Sequence, residues 1–249
     1  MVIVKMSRFF VKQEDIHSNE IYIRSEDVNH IKKVLRAQCG DVLTLCDGKG
    51  SDFEVEIKEL EKDYILTSII SSMSSRSEPP IDITLFQGIP KYDKMDFIIQ
   101  KSVELGVNRI VPVITDRTIV KIANISDTEN KRVRWQKIAL EAAKQCNRGV
   151  IPSVEVPMNF DSALKLAKES QLSIIPYEKE MQKRIKDYIS EGIKSLAIMI
   201  GPEGGFSEDE IIKATLNTIK PITLGPRILR TETAGIVVIS ILMYELGDM

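Results

Sequence analysis

The sequence predicts an α/β protein in two parts, a small β-barrel followed by a larger domain built on a parallel sheet. Three observations carry this prediction. Short strand-like runs crowd the chain up to Ile70. Strand and helix signals then alternate from Ile81 onward, the pattern of a parallel sheet covered by helices. Between them lies Ser71-Ser-Met-Ser-Ser-Arg-Ser-Glu-Pro-Pro80, a polar, serine-rich stretch closed by two prolines, which favours an extended linker. The expected division is residues 1–72 for the barrel, 73–80 for the linker and 81–249 for the second domain.

In the first domain the strand runs are Arg8–Val11, Ile21–Arg24, Asp41–Cys46, Phe53–Ile57 and Tyr64–Ile70. Asp47-Gly-Lys-Gly50 reads as a hairpin turn between two of them. One helix interrupts the strands. Ser25 supplies an N-cap, Val28, Ile31, Val34 and Leu35 follow, and Gly40 stops it. In the second domain strands are expected at Ile81–Gln87, Arg109–Ile114, Ser153–Val156, Leu172–Pro176, Leu196–Ile200 and Ile222–Leu224. Helices are expected near 92–105, 128–147, 160–169, 180–190, 207–219 and 232–246.

Composition excludes several classes of function. The 249 residues carry a formal net charge of −2, so nucleic-acid binding must rest on local patches and not on overall charge. The longest apolar run, near Ile236–Met243, is too short to span a bilayer. The N-terminus lacks the charged start, apolar core and small-residue cleavage site of a signal peptide. Cys39, Cys46 and Cys146 have no Cys-x-x-Cys spacing; they read as reduced thiols of a cytoplasmic protein, with no metal site. His17 and His30 are the only histidines and lie far in sequence from the glycine-rich loops, which argues against a Ser-His-Asp triad or a histidine metal centre.

The chemistry concentrates in two glycine-rich junctions. Leu196-Ala-Ile-Met-Ile-Gly201-Pro-Glu-Gly-Gly-Phe206 leads from an apolar strand into a helix capped by Ser207 and Glu210. No Gly-Lys-Ser/Thr follows, and Glu203 at its centre repels phosphate; the loop suits an uncharged or cationic ligand. The second junction, Ile222-Thr-Leu-Gly225-Pro-Arg-Ile-Leu-Arg230-Thr-Glu-Thr-Ala234, gathers Arg227, Arg230 and Glu232 at the mouth of a helix that is apolar nearly all round. Charges there need partners or a task. An Arg230–Glu232 or Arg230–Glu203 structural ion pair is the competing reading. A third feature is the helix from Lys131 to Arg148, where Arg134, Lys137, Glu141, Lys144 and Arg148 share one face. Such a basic stripe meets phosphates without reading sequence, unless it is simply a solvated face. Lys12, Lys32, Lys33 and Arg36 form a second basic cluster.

With these residues in view, the chain resembles the RsmE-type ribosomal RNA uridine-N3 methyltransferases of the SPOUT class. Ile200-Gly-Pro-Glu-Gly-Gly-Phe-Ser207 and Leu224-Gly-Pro-Arg-Ile-Leu-Arg-Thr-Glu-Thr-Ala234 are similar to that family's signature loops. Arg8-Phe-Phe10, Val34-Leu-Arg36 with Gly40-Asp41, Asp47-Gly-Lys-Gly50 and Gln87-Gly-Ile-Pro-Lys91 extend the match. So do Gln100-Lys-Ser-Val-Glu-Leu-Gly106, Arg134-Trp135 and Ala142-Ala-Lys-Gln145 with Arg148.

The resemblance implies a PUA-like barrel that helps hold RNA and a SPOUT domain with a trefoil knot. It implies S-adenosyl-L-methionine held by Ile175, Pro176, Ile200, Gly201, Pro202, Gly204, Leu224, Gly225, Ile228, Leu229, Thr231 and Thr233. It also implies a homodimer acting on one uridine of 16S ribosomal RNA in the small subunit. RNA contacts are expected from Arg8, Lys32, Arg36, Arg134, Lys137, Lys144 and Arg148. Uridine N3 carries a proton, so the site needs a base or groups that stabilise the uridinate anion. Arg230 is expected to stabilise charge on the uracil oxygens, and Glu203 or Glu232 to take or orient the proton. A ribose 2′-hydroxyl as methyl acceptor, or a non-catalytic RNA-binding assembly factor, are the rival readings.

Overall fold

Alternation of apolar and polar residues along five strands builds the first sheet. The computed structural model describes residues 3–24, 26–120 and 125–249. The first unit comprises the residues up to Glu78 together with Ala143–Ile151; the second comprises Pro79–Ala142 and Pro152–Met249. The first unit holds β1 (Ile3–Phe10), β2 (Glu20–Ile23), β3 (Val42–Cys46), β4 (Ser51–Leu60) and β5 (Ile65–Ser74), in the order β1-β3-β4-β5-β2. Strands β1 and β3 run parallel and the remaining pairs antiparallel. Every second residue points inward: Ile21 and Ile23, Leu43 and Leu45, Val55 and Ile57 are buried around Val28 and Ile31. The hairpin at Asp47 forms as expected. Its side chain accepts from the N–H groups of Lys49 at 2.8 Å and Ser51 at 2.9 Å.

The helix expected up to Gly40 is shorter. It comprises α1 (Glu26–Asn29) and one wider π turn (His30–Val34), and Arg36 then adopts a left-handed φ of 54°. Its expected cap, Ser25, lies outside the described residues.

The linker also reads differently. Strand β5 continues through Ser71–Ser74, paired with Glu54 back to Ser51. Beyond it, Ser75 and Ser77 accept hydrogen bonds from Arg8 at 3.0 and 3.2 Å, and Arg8 also pairs with Asp52. Glu78 accepts from Arg148 at 2.7 Å and from the N–H groups of Gly149 at 2.7 Å and Val150 at 3.0 Å. The polarity that reads as linker in the sequence therefore satisfies two largely buried arginines.

The second unit holds β6 (Asp82–Gly88), β7 (Arg109–Ile114), β8 (Ser153–Val154), β9 (Met158–Asn159), β10 (Leu172–Pro176), β11 (Ser195–Ile200) and β12 (Lys220–Ile222). All are parallel, in the order β12-β10-β11-β6-β7-β8, with β9 also on β7. The helices are α2 (Lys94–Glu104), α3 (Ile125–Gln145), α4 (Phe160–Ala167), α5 (Glu208–Leu216) and α6 (Thr231–Leu246). Residues Leu196–Ile200 are buried without interruption, as a strand covered on both faces requires.

The helix expected over 180–190 is absent; a single 3₁₀ turn, Ile185–Asp187, stands there. Local side chains claim the backbone instead. Glu180 accepts from the N–H groups of Gln182 and Lys183, Asp187 accepts from that of Arg184, and the Lys183 carbonyl accepts from Thr223 N–H at 2.7 Å. Each bond offers the chain an alternative to the helical ladder.

Candidate active site

Three neighbouring strands, β12, β10 and β11, release loops at their carboxyl ends, where open α/β sheets bind ligands. Together these loops and α6 surround a cleft of about 940 Å³. Its walls include Pro176 and Tyr177 at the end of β10, Ile200–Glu203 at the end of β11, and Thr223–Thr231 from β12 into the start of α6. Ala234, Val237 and Ile241 of α6 add apolar surface.

Close backbone packing shapes the middle loop. Gly205 turns back through a φ of 68°, its N–H donating to the Pro202 carbonyl at 2.9 Å. At Gly88, the end of β6, a Cβ would lie 2.6 Å from Pro202 Cδ and 2.7 Å from its backbone nitrogen; only glycine lets strand and loop approach so closely. The loop then enters α5 through the expected capping box, Ser207 accepting from Glu210 N–H and Glu210 from Ser207 N–H. Arg117 donates to the Gly204 carbonyl at 2.5 Å.

The start of α6 is stitched to the same place. Thr231 Oγ1 donates to the Gly201 carbonyl at 2.6 Å and accepts from Gln87 Nε2 at 2.9 Å. One buried side chain thus ties the ends of β11 and β6 to the start of α6.

The charged groups have a definite arrangement. Lys94, at the first turn of α2, lies 2.9 Å from Glu203 Oε1 and 3.5 Å from Glu232 Oε2. Both oxygens of Glu203 also receive the Lys91 N–H, at 3.2 and 3.3 Å. Burial pushes the Glu203 carboxyl up, but the Lys94 and backbone hydrogen bonds more than offset it, leaving the group below the usual carboxylate range. The hydrogen bond to Glu203 in turn holds the Lys94 ammonium above its ordinary value. Arg230 is exposed and makes no side-chain hydrogen bond or ion pair with the described residues. Neither structural pair considered for Arg230 forms among the described residues; both glutamates lie within ion-pair distance of Lys94 instead.

A pH prediction follows from Glu203. A carboxyl depressed on folding stabilises the fold above its unfolded value, and that contribution disappears as pH falls through the folded value. The difference in melting temperature between the protein and Glu203→Gln should therefore be constant above the ordinary carboxylate range, about pH 4.3, and close in more acidic buffer. Thermal melts across that range measure it.

The expected site residues separate. Pro176, Ile200, Gly201, Pro202, Leu224, Gly225, Ile228, Leu229 and Thr231 line the cleft with Glu203 and Arg230. Ile175, within β10, is fully buried in the core, Gly204 is exposed beside the cleft, and Thr233 and Glu232 are not on its wall. Glu232 stands behind Lys94 with Oε2 buried and lacking a hydrogen bond. Tyr177, the last residue of the expected loop Ile174–Tyr177, also lines the cleft, and Lys94, Glu178 and Met181 join it although the sequence does not point to them. Lys94 had one available signal, its position just beyond Gln87-Gly-Ile-Pro-Lys91.

The basic residues divide too. Arg148 is 3% exposed and bound to Glu78, and Arg8 is largely buried on Asp52. Both expected RNA contacts are thus engaged within the first unit, Arg148 by Glu78 and Arg8 by Asp52, Ser75 and Ser77. Arg134 pairs with Asp96 and Asp93, and Lys144 with Asp27 at 3.8 Å. Lys32 donates to the carbonyls of Leu60 and Glu61. Lys137 and Arg36 are exposed without an ion pair to the described residues. Among those residues, no acid, histidine or cysteine cluster could hold a metal ion, and no helix is long and apolar enough to cross a membrane.

Comparison with known proteins agrees with the site. Residues 77–243 match the RNA methyltransferase domain family, and residues 23–70 the RNA methyltransferase PUA domain family. Ribosomal RNA small subunit methyltransferase E of Buchnera aphidicola is 36% identical over 98% of this chain and 95% of that protein. Its namesake in Bacillus subtilis is 33% identical over 96% of this chain and 97% of that one. The crystal structure of the Neisseria gonorrhoeae enzyme of that name, bound to S-adenosyl methionine, superposes with a TM-score of 0.85 at 34% identity, covering 98% of this chain and 99% of that one. A Legionella pneumophila methyltransferase in complex with the same cofactor gives 0.85 at 34% identity over 99% and 100% of the two chains. Resemblance in the signature loops, near-complete coverage and a matching fold converge, and the chain belongs to the ribosomal RNA small subunit methyltransferase E family.

Proposed function

We propose that this S-adenosylmethionine-dependent methyltransferase places a methyl group on N3 of one uridine in the 16S RNA of the small ribosomal subunit. The observation that carries this reading is that Arg230, without a side-chain partner among the described residues, lines the same cleft as Glu203, whose carboxyl is held below the usual carboxylate range. Apolar walls, open backbone at strand ends and the carboxylates Glu178 and Glu203 suit a cofactor with an aromatic base and a sulfonium cation. When bound, that cofactor supplies an electrophilic methyl. Ile200, Leu224 and Leu229 would flank the adenine. Gly201 and Gly225 would bring main chain against the ribose.

The protein's own contribution is then to the acceptor. Arg230, with its donors unspent, stabilises negative charge on the uracil oxygens as N3 loses its proton. Glu203, not Glu232, faces the cleft and takes or orients that proton. Its depressed carboxyl stays ionised through the neutral range, which suits orientation and makes the anion-stabilising arginine the larger contributor.

The first sheet is proposed to close as a PUA-like barrel; its bulges at Glu54/Val55 and Ile57/Glu59 supply the curvature this requires. The C-terminal chain is proposed to form a trefoil knot. Support comes from its path: it leaves β12, and Thr231 then binds Gly201 after β11 and Gln87 of β6. Exposed Tyr92 and Phe97 near α2 and Tyr244 on α6 support a homodimer. Three free cysteines fit a cytoplasmic setting.

Small subunits from a strain lacking the enzyme, incubated with protein and cofactor and digested to nucleosides, should yield 3-methyluridine by mass spectrometry. Ribose-methylated nucleoside would establish the rival acceptor, and no incorporation would sink the reading. RNA contacts are proposed at Lys137 and Arg36. Replacing each by Gln should flatten the dependence of log K on log salt by about 0.7–0.9 per contact, whereas Arg134→Gln, already engaged by two aspartates, should change it less. Titrations at several ionic strengths decide this.

A further inference from the structure

One cation of the cleft is committed entirely to the protein's own acids. Lys94 Nζ sits between Glu203, at 2.9 Å, and Glu232, at 3.5 Å. The three residues come from the start of α2, the loop after β11 and the start of α6. Two carboxylates reach one ammonium, so they lie close to each other as well. Without that ammonium, like charges at this spacing disfavour each other's ionisation, and Glu203 or Glu232 would be free to take Arg230 as a new partner. Arg230 stands only two residues before Glu232 and carries no partner among the described residues.

Resting on the proposed uridine methylation, we infer that Lys94 is a positioning residue of the reaction, which holds Glu203 ionised on the cleft wall and leaves Arg230 free for the substrate anion. Lys94 does this through contacts already made within the folded chain. A longer, forked cation can reach the same two carboxylates, so Arg is its conservative replacement. Met keeps the apolar stem and removes the charge.

The test compares Lys94→Met and Lys94→Arg with the unaltered protein, using small subunits that lack the modification. Turnover at saturating cofactor is followed across pH, and cofactor affinity is measured separately by calorimetry. Lys94→Met should lower turnover at neutral pH by about tenfold or more and move the acidic limb of the profile upward by about one unit, the size of a nearby-charge effect. Cofactor affinity should stay within about threefold, since removing a group that acts on the acceptor side spares ground-state cofactor binding. Lys94→Arg should restore both the limb and most of the turnover.

An unmoved limb in Lys94→Met overturns the inference. So does Lys94→Arg as impaired as Lys94→Met. A Lys94→Met protein that loses cofactor affinity in parallel with turnover, or fails to fold, also overturns it and marks Lys94 as a fold anchor. If the unaltered protein yields no 3-methyluridine, the proposed function itself fails. Normal methylation with an unmoved limb leaves that function standing and removes only the role of Lys94.

Discussion

Arg230→Ala should lower turnover by about 10²- to 10³-fold, the usual consequence of removing one preorganised donor from a developing anion, while cofactor affinity changes by less than about threefold. The reasoning starts from what Arg230 does not do. It lines the cleft, is exposed, and spends none of its guanidinium donors on the described residues. Both acids that could have neutralised it are held by Lys94. Its backbone carbonyl, by contrast, is engaged at the helix start, accepting from Thr233 and Ala234, so the substitution leaves the N-terminus of α6 intact. Thr231, next in sequence, keeps its bonds to Gly201 and Gln87. The side chain can thus be removed without loosening the ends of β11 and β6 from the start of α6. Turnover with modification-deficient small subunits and calorimetry with the cofactor separate the two effects. Parallel loss of both would show that Arg230 serves the cofactor and not the acceptor.

Much of this arrangement is legible in the chain because buried parallel strands write themselves as uninterrupted apolar runs. Leu196–Ile200 is the clearest example, Leu172–Ile175 is broken only by the buried Ser173, and the glycine junctions after β11 and β12 locate the cleft. The capping box of Ser207 and Glu210 is local in sequence and correspondingly readable. What periodicity could not reveal depends on partners far away. Lys94 reaches Glu203 across more than a hundred residues, and nothing in the residues around it marks that contact. The segment 180–190 has helical composition, yet Glu180, Asp187 and the Thr223 N–H satisfy its backbone in another way. Glu180 shows the strength of that competition: the N–H groups of Lys183 and Gln182 hold its carboxyl below the usual range. The basic face of α3 shows a related limit. Regular spacing puts residues on one side of a helix but says nothing about what covers that side.

Arg148 makes the distinction measurable. Arg148→Met should destabilise the first unit by about 3–5 kcal/mol, the range found when one member of a buried ion pair is removed. The cost arises on Glu78, whose carboxylate is left largely buried with, among the described residues, the Gly149 and Val150 N–H groups to satisfy it. Those two N–H groups cannot replace a charge. The neighbouring turn is intolerant of rearrangement, because a Cβ on Gly149 would stand 2.2 Å from the Ser75 side chain. Simultaneous Arg148→Met and Glu78→Gln should recover part of the loss, since a neutral amide can still accept from the backbone without leaving a buried charge. Urea unfolding of the single and double variants measures both terms. The reading as a phosphate contact predicts the opposite pattern: stability within about 0.5 kcal/mol, as for an ordinary surface change, and a flatter salt dependence of RNA binding. Burial of the guanidinium to 3% exposure decides for the structural role, and a stable Arg148→Met protein with weakened, salt-insensitive RNA binding would reverse that decision.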